Sequence, residues 1–236
     1  LHTVTRRQRQ MCIRDRSRTC LRPIPRGKLN RNQALYFGTS LSVISVVSLY
    51  FVTNALSAFL LLFTILFYVF VYTIWLKRKT PQNIVIGGAS GALPPVIGWA
   101  IATNSISLES IAFFLIIFFW TPSHFWALSL YKADDYKKAG IPMLPVTNGI
   151  QDTKKNILIY SLLMIPTIVF PYYIGFVGEV FLTLSLLLTF YYNLICYQLY
   201  NYKVGKFNIK KARHIFSYSI IYLFLIFVFF LVDKVL

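Results

Sequence analysis

The chain has 236 residues, of which 57% are hydrophobic, 17% aromatic and only 13% charged. Soluble domains carry about 25% charged residues, so this composition excludes a water-soluble globular protein, a disordered tail and a disulfide scaffold. The formal net charge is +17, yet the basic residues sit in blocks between long apolar runs, which points to a membrane protein with charged loops and not to a nucleic-acid binder.

Ten of the 24 Lys and Arg residues lie before Gln33, and most others fall at 77–79, 132–155 and 203–213. The Arg-rich start itself invites a separate reading. One reverse translation of residues 6–15, Arg-Arg-Gln-Arg-Gln-Met-Cys-Ile-Arg-Asp, is the in-frame product of a transposase sequencing adapter. Residues 1–16 are therefore expected to be a non-native leader; the other readings are a basic membrane-surface arm and a transit peptide. Residues 17–236 are expected to form one transmembrane domain.

Seven apolar runs are long enough to cross a bilayer, at about 33–53, 56–76, 84–103, 108–130, 156–176, 178–199 and 214–232. The fold class is therefore all-α, a polytopic transmembrane helical bundle. The connectors after the first, third and fifth runs contain no Lys or Arg, whereas those after the second, fourth and sixth do. That alternation predicts cytoplasmic basic loops and an external C-terminus in a multi-pass protein.

The third run is distinctive. Ile84-Val-Ile-Gly-Gly-Ala-Ser-Gly-Ala-Leu-Pro-Pro-Val-Ile-Gly-Trp99 carries Gly87 and Gly91 four apart, likewise Gly88 and Ala92, followed by Pro94 and Pro95. Small residues at this spacing allow close helix contact. The prolines interrupt the hydrogen-bond ladder, which a membrane tolerates inside a bundle or beside a cavity. Tight packing and a ligand cavity are both consistent with the pattern.

Polar residues concentrate at the basic ends of the spans. Asp134 and Asp135 follow the fourth run and precede Tyr136, Lys137, Lys138 and Gly140-Ile-Pro-Met-Leu-Pro-Val146. They read either as solvated loop carboxylates or as ligands of Mg²⁺, a hard cation typically held by one or two carboxylates together with substrate phosphates. Lys77, Arg78 and Lys79 close the second run, with Asn83 after them, and Arg18, Arg22, Arg26 and Lys28 precede the first. These residues either contact anionic lipid or hold a phosphate headgroup on the same face as the carboxylates. His124, between Trp120 and Trp126, is the only histidine inside a motif. It could ligate a metal, orient an anionic group, or bond a helix carbonyl beside Pro122. Cys12, Cys20 and Cys196 make no ligand spacing.

The segments Tyr72–Trp99, Trp120–Trp126 with Tyr131–Val146, and Arg18-Thr-Cys-Leu-Arg-Pro-Ile-Pro-Arg-Gly-Lys28 resemble the haem-farnesylating branch of the UbiA-type membrane prenyltransferases. The tail from Phe216 to Asp233 fits more loosely. The resemblance implies a nine-span bundle of which seven spans are present here, with two spans and an Asn/Asp-rich Mg²⁺ motif expected upstream of Arg18; on that expectation, residues 1–236 alone are inactive. Ser123 stands where the family commonly has proline.

The implied reaction moves a farnesyl group from farnesyl diphosphate to a vinyl group of haem b, with addition of water, to make haem O for terminal oxidases. The implied site has Asp134 and Asp135 on Mg²⁺ and Tyr131 near the reacting groups. Arg18, Arg22, Lys77, Arg78, Asn83, His124, Trp120, Trp126 and Lys138 are the implied substrate-binding set. The implied setting is a bacterial inner membrane, among lipids, with haem A synthase or oxidase assembly factors as partners and no nucleic acid. The rival readings are another UbiA-type enzyme acting on an aromatic quinone precursor and a non-catalytic haem-binding or transport protein. Turnover that shifts a haem absorption peak separates the first, and an inverted repeat, absent from the sequence, would mark the last.

Overall fold

The computed structural model describes residues 23–24, 26–138, 140–202 and 209–235. Arg18, Arg22, Lys203, Lys206 and the adapter-like leader lie outside them. Among the described residues seven helical segments are long and apolar enough to cross a membrane. They are α1 (Arg31–Val52), α2 (Ala55–Leu66, continued as a π-helix over Phe67–Leu76), the pair α3 (Asn83–Ala92) and α4 (Pro94–Thr103), α5 (Leu108–Tyr131), α8 (Gly149–Tyr173), α9 (Glu179–Tyr200) and α10 (Ile209–Val235). Two short helices, α6 (Ala133–Lys138) and α7 (Leu144–Thr147), fill the loop between α5 and α8.

The seven expected spans are all present. Two helices begin earlier than their apolar runs. α8 starts at Gly149 and includes Asp152, Lys154 and Lys155, and α10 starts at Ile209 and includes Lys210, Lys211 and Arg213. Hydropathy marks the stretch that needs lipid, whereas the hydrogen-bond ladder continues past it wherever nothing breaks the chain.

Local sequence explains the helix ends. Asn30 and Gln33 form a reciprocal capping box on α1, and the Asn54 side chain accepts from the Ser57 amide at 2.8 Å to start α2. The other end of the Asn54 amide donates to the Ala100 carbonyl at 2.7 Å, tying α2 to α4. The third span breaks at Leu93, because Pro94 cannot donate to the ladder; Pro94 and Pro95 then open α4, the position in a helix that tolerates them best. Asn104 ends α4 in the left-handed region at φ 51°.

α5 is the hub. Its buried face includes Ile116, Trp126, Ala127 and Leu130, and it packs with Ile157, Met164 and Ile168 of α8, Tyr192 and Cys196 of α9, and Tyr222 and Ile226 of α10 in one core. A smaller core joins Leu60 of α2 to Val96, Ile97 and Ala100 of α4. α1 buries no residue at all. It leans mainly on α2, and Ser40, Ser45 and Ser48 are exposed while Ser42 is half-buried and donates to the Gly38 carbonyl.

Several polar groups in the large core are paired, as a low-dielectric interior favours. Tyr192 donates to Ser123 Oγ at 2.9 Å, and Ser123 donates to the Trp120 carbonyl at 3.0 Å. Thr189 and Tyr222 share a hydrogen bond of 2.9 Å. At the opposite end of the bundle the Asp233 carboxylate accepts from the Gly178 amide at 2.7 Å and the Phe181 amide at 3.1 Å, so the last turns of α10 cap the start of α9. Lys234 beside it donates to the Phe176 carbonyl. Asp233→Ala should remove both amide partners and lower stability by about 0.5–2 kcal/mol, the usual cost of a lost cap. Thermal unfolding in detergent checks this, and an unchanged midpoint would show that the cap carries no weight.

Candidate active site

A cavity of about 790 Å³ lies between α2 with its π-helical end, α3, α5 and the α6–α7 loop. The volume is in the range of roughly 300–1,000 Å³ typical of ligand sites. Lys77, Tyr136, Ile141 and Met143 line the end nearest the basic loops, and Thr64, Gly91 and Ile117 line the part nearest the middle of the spans. Lys77 is the only charged side chain in the lining among the described residues.

The π-helix shapes one wall. Its i→i+5 bonding makes a wider turn than an α-helix and is found most often at functional sites. Tyr68 and Tyr72 both line the cavity, with their rings 5.1 Å apart. Lys77 closes the π-helix, and its ammonium lies 5.6 Å from the Tyr72 ring centroid.

The glycines of α3 differ in what a side chain would meet. Gly88 makes the close helix contact: a Cβ there would sit 3.0 Å from Thr121 Cγ2 of α5. Ala92, on the same stripe, is fully buried. Gly87 and Gly91 form the second stripe and, like Gly88, line the cavity. A Cβ at Gly87 would come within 2.5 Å of the Tyr72 ring, whereas one at Gly91 would meet open space. Gly88→Val should force α3 away from α5 and destabilise the bundle by about 1–3 kcal/mol. Gly91→Ala should leave unfolding unchanged. Equal unfolding midpoints for the two variants would contradict the division.

Asp134 and Asp135 are exposed on α6, the six-residue helix that also places Tyr136 in the lining. They stand at the mouth of the cavity and not in its wall. Asp135 pairs with Lys132 at 3.7 Å, and no described residue pairs with Asp134. No cluster of three or more His, Cys, Asp or Glu residues occurs among the described residues. Two accessible carboxylates fit an ion such as Mg²⁺ whose remaining ligands are waters and phosphate oxygens.

The other expected residues divide. Lys77, Trp120 and His124 line the cavity. Arg78 is exposed beside Lys77 and is not among the lining residues, and Lys138 is exposed on α6. Asn83 is fully buried and donates to the Lys77 carbonyl at 3.2 Å, so it holds the basic turn in place. Its Oδ1 has no hydrogen-bond partner among the described residues. Tyr131 lies edge-on to Phe216, 6.0 Å between centroids, with the Arg213 guanidinium 5.4 Å from its ring; it does not line the cavity. Trp126 is fully buried in the core, edge-on to Tyr160 at 5.2 Å. Tyr68, Thr64 and Ser90 complete the lining without having stood out in the sequence. A tyrosine four residues before Tyr72 was the one available signal.

A helical bundle crossing the membrane seven times, with an apolar cleft that ends in a lysine and two carboxylates, defines a membrane protein built for a ligand with a long apolar body and an anionic head. The profile of the UbiA prenyltransferase family matches residues 13–221, and the chain belongs to that family. It is 74% identical over 220 residues to the protoheme IX farnesyltransferase of Pelagibacter ubique, covering 93% of this chain and 73% of that one. The protoheme IX farnesyltransferase of Parvibaculum lavamentivorans is 48% identical over 220 residues, covering 93% and 69%. A solved structure described as digeranylgeranylglyceryl phosphate synthase has a TM-score of 0.75 over 96% of this chain and 79% of its own, at 19% identity; that likeness concerns the fold alone. Ser123 is the acceptor for Tyr192.

Proposed function

We propose that the chain transfers a farnesyl group from farnesyl diphosphate to a vinyl group of haem b, giving haem O. The relatives named protoheme IX farnesyltransferase support the substrates. The observation that carries the reading is the cavity itself, apolar along its length and bounded by Lys77 at the end where Asp134 and Asp135 stand.

The chemistry requires diphosphate to leave and an allylic cation to survive until the vinyl carbon attacks. Lys77 and Arg78 bind the diphosphate and take up the charge that grows as it departs, with Lys138 and, by the resemblance, Arg18 and Arg22 adding to that electropositive face. Mg²⁺ held by Asp134 and Asp135 would supply further positive charge at the phosphate oxygens. Asn83 keeps the Lys77 carbonyl, and so the turn, fixed. Aromatic faces steady the cation by about 0.5–2 kcal/mol each; Trp120, Tyr68 and Tyr72 are the rings that line the cavity. Tyr131 and Trp126 stand behind that wall. The apolar walls exclude bulk water, which would otherwise capture the cation. The setting that fits is a bacterial inner membrane with the basic loops in the cytoplasm, beside the enzymes that use haem O.

The test is to express the chain from its native locus in membranes, supply farnesyl diphosphate and haem b, and separate the haems by chromatography. A new, more apolar haem that depends on both substrates is expected. Prenylation of an aromatic quinone precursor in its place would overturn the assignment.

A further inference from the structure

We propose that the cavity measures the length of the prenyl chain: Gly91 leaves room for the terminal isoprene unit, and the packed core beyond it is the stop. This rests on the farnesyl-transfer reading above and adds to it the residues that select the diphosphate by length.

Among the described residues nothing requires Gly91 to lack a side chain. Its φ is not positive, so the backbone does not call for glycine. The break in the third span is made by Pro94 and not by Gly91. Gly87 must stay small beside the Tyr72 ring and Gly88 beside Thr121, but a Cβ on Gly91 would meet nothing within 4 Å. A glycine in a helix has more freedom to lose on folding than alanine, so this one loosens α3 with no packing gain in return. What the absent side chain does provide is volume in the cavity, which Gly91 lines.

The depth fits the chain. Gly91 is eight residues beyond Asn83 on α3, about 12 Å along the helix. Asn83 holds the turn of Lys77, where the diphosphate binds. The distance between them is that of an extended farnesyl chain.

The three walls end at one level. The lining goes no deeper than Thr64 on α2, Gly91 on α3 and Ile117 on α5. Within about one turn of each, Leu61, Leu93 and Phe114 pack on the small core of Leu60, Val96, Ile97 and Ala100. A chain that runs down the cavity from Lys77 therefore meets packed side chains just past Gly91.

The α5 wall is braced from behind. Ser219 on α10 gives its hydroxyl hydrogen to the Phe216 carbonyl at 2.6 Å and accepts from His124 Nδ1, also at 2.6 Å. Trp120 Nε1 donates to the Ser219 carbonyl at 2.8 Å. The His124 ring stacks on Trp120 and on Phe216, with centroids 4.3 and 4.6 Å away. A wall packed in this way does not widen for a longer chain.

The test uses the protein expressed from its native locus, in washed membranes given haem b and an equimolar mixture of geranyl, farnesyl and geranylgeranyl diphosphate. The prenylated haems are separated by chromatography and identified by mass, and their ratio does not depend on how much enzyme is folded. Wild type should make mainly the farnesyl product. Gly91→Leu should move the farnesyl-to-geranyl ratio towards geranyl by at least about tenfold, the lower end of what one methylene contributes to discrimination in an apolar pocket. Gly91→Ala should move it the same way by about threefold or more, and it decides the matter where the leucine variant gives no product. Phe114→Ala lowers the floor and should raise geranylgeranyl over farnesyl product by about tenfold. The KM for haem b should stay unchanged in the Gly91 variants. An unchanged product ratio in both would overturn the proposal alone: a raised KM for haem b would then make Gly91 a porphyrin contact, and a lowered unfolding midpoint a packing glycine. Equal use of farnesyl and geranylgeranyl diphosphate by wild type would remove the stop and leave the reaction standing. Wild-type membranes that prenylate no haem would overturn the farnesyl-transfer reading with it.

Discussion

Asp134→Ala and Asp135→Ala should each lower farnesyl transfer by about two orders of magnitude or more, the scale seen when a group that stabilises developing charge is removed. Both side chains are exposed on α6, where Asp135 pairs with Lys132. Membrane expression and thermal stability should therefore stay near wild type. The loss should also be sensitive to Mg²⁺ concentration if the carboxylates hold the ion with the phosphate oxygens. Initial rates across a Mg²⁺ series, beside a porphyrin-binding control, provide the measurement. Near-normal, Mg²⁺-dependent turnover in the doubly substituted protein would return the two residues to solvated loop carboxylates.

Lys77→Gln with Arg78→Gln should raise the apparent KM for farnesyl diphosphate by roughly 10–100-fold, since a charge-assisted hydrogen bond contributes about 1.5–3 kcal/mol. Lys77 reaches into the cavity at its charged end and lies over Tyr72, and Arg78 follows it on the same turn. That turn is held by Asn83, so the backbone should survive the substitutions. The effect should weaken at high ionic strength, because the end of the cavity meets water. Steady-state kinetics with each substrate varied separately distinguish diphosphate contact from contact with the haem propionates. Unchanged kinetics for both would mean that the two residues serve only to orient the chain in the membrane.

The spans were legible because each must satisfy its own backbone in lipid, which demands a long apolar run. Their starts were less legible where helices continue into charged water-facing turns, as at Asp152 in α8 and Lys210 in α10. The glycine spacing in α3 announced both a close contact and a cavity without saying which glycine served which; that depends on Thr121 and Tyr72, brought alongside by the fold. The π-helix was hidden because Phe67–Leu76 is almost uniformly apolar, so no period shows. The acidic pair was visible as a pair, but its position at the mouth depends on the turn into α6. Ser219 had no local signal at all, since it is 95 residues from His124.

That last separation bears on the order in which the protein is made. Chains emerge N-terminal end first at about 5–20 residues per second, so on the order of ten seconds pass between synthesis of His124 and of Ser219. During that interval α5, α8 and α9 can already pack, but the imidazole has no fixed acceptor and either nitrogen can carry its hydrogen. The same final helix brings Phe216 to the ring and Asp233 to the start of α9. The contacts at His124 and at the start of α9 thus close only when α10 inserts, although every described element that lines the cavity has been made by then.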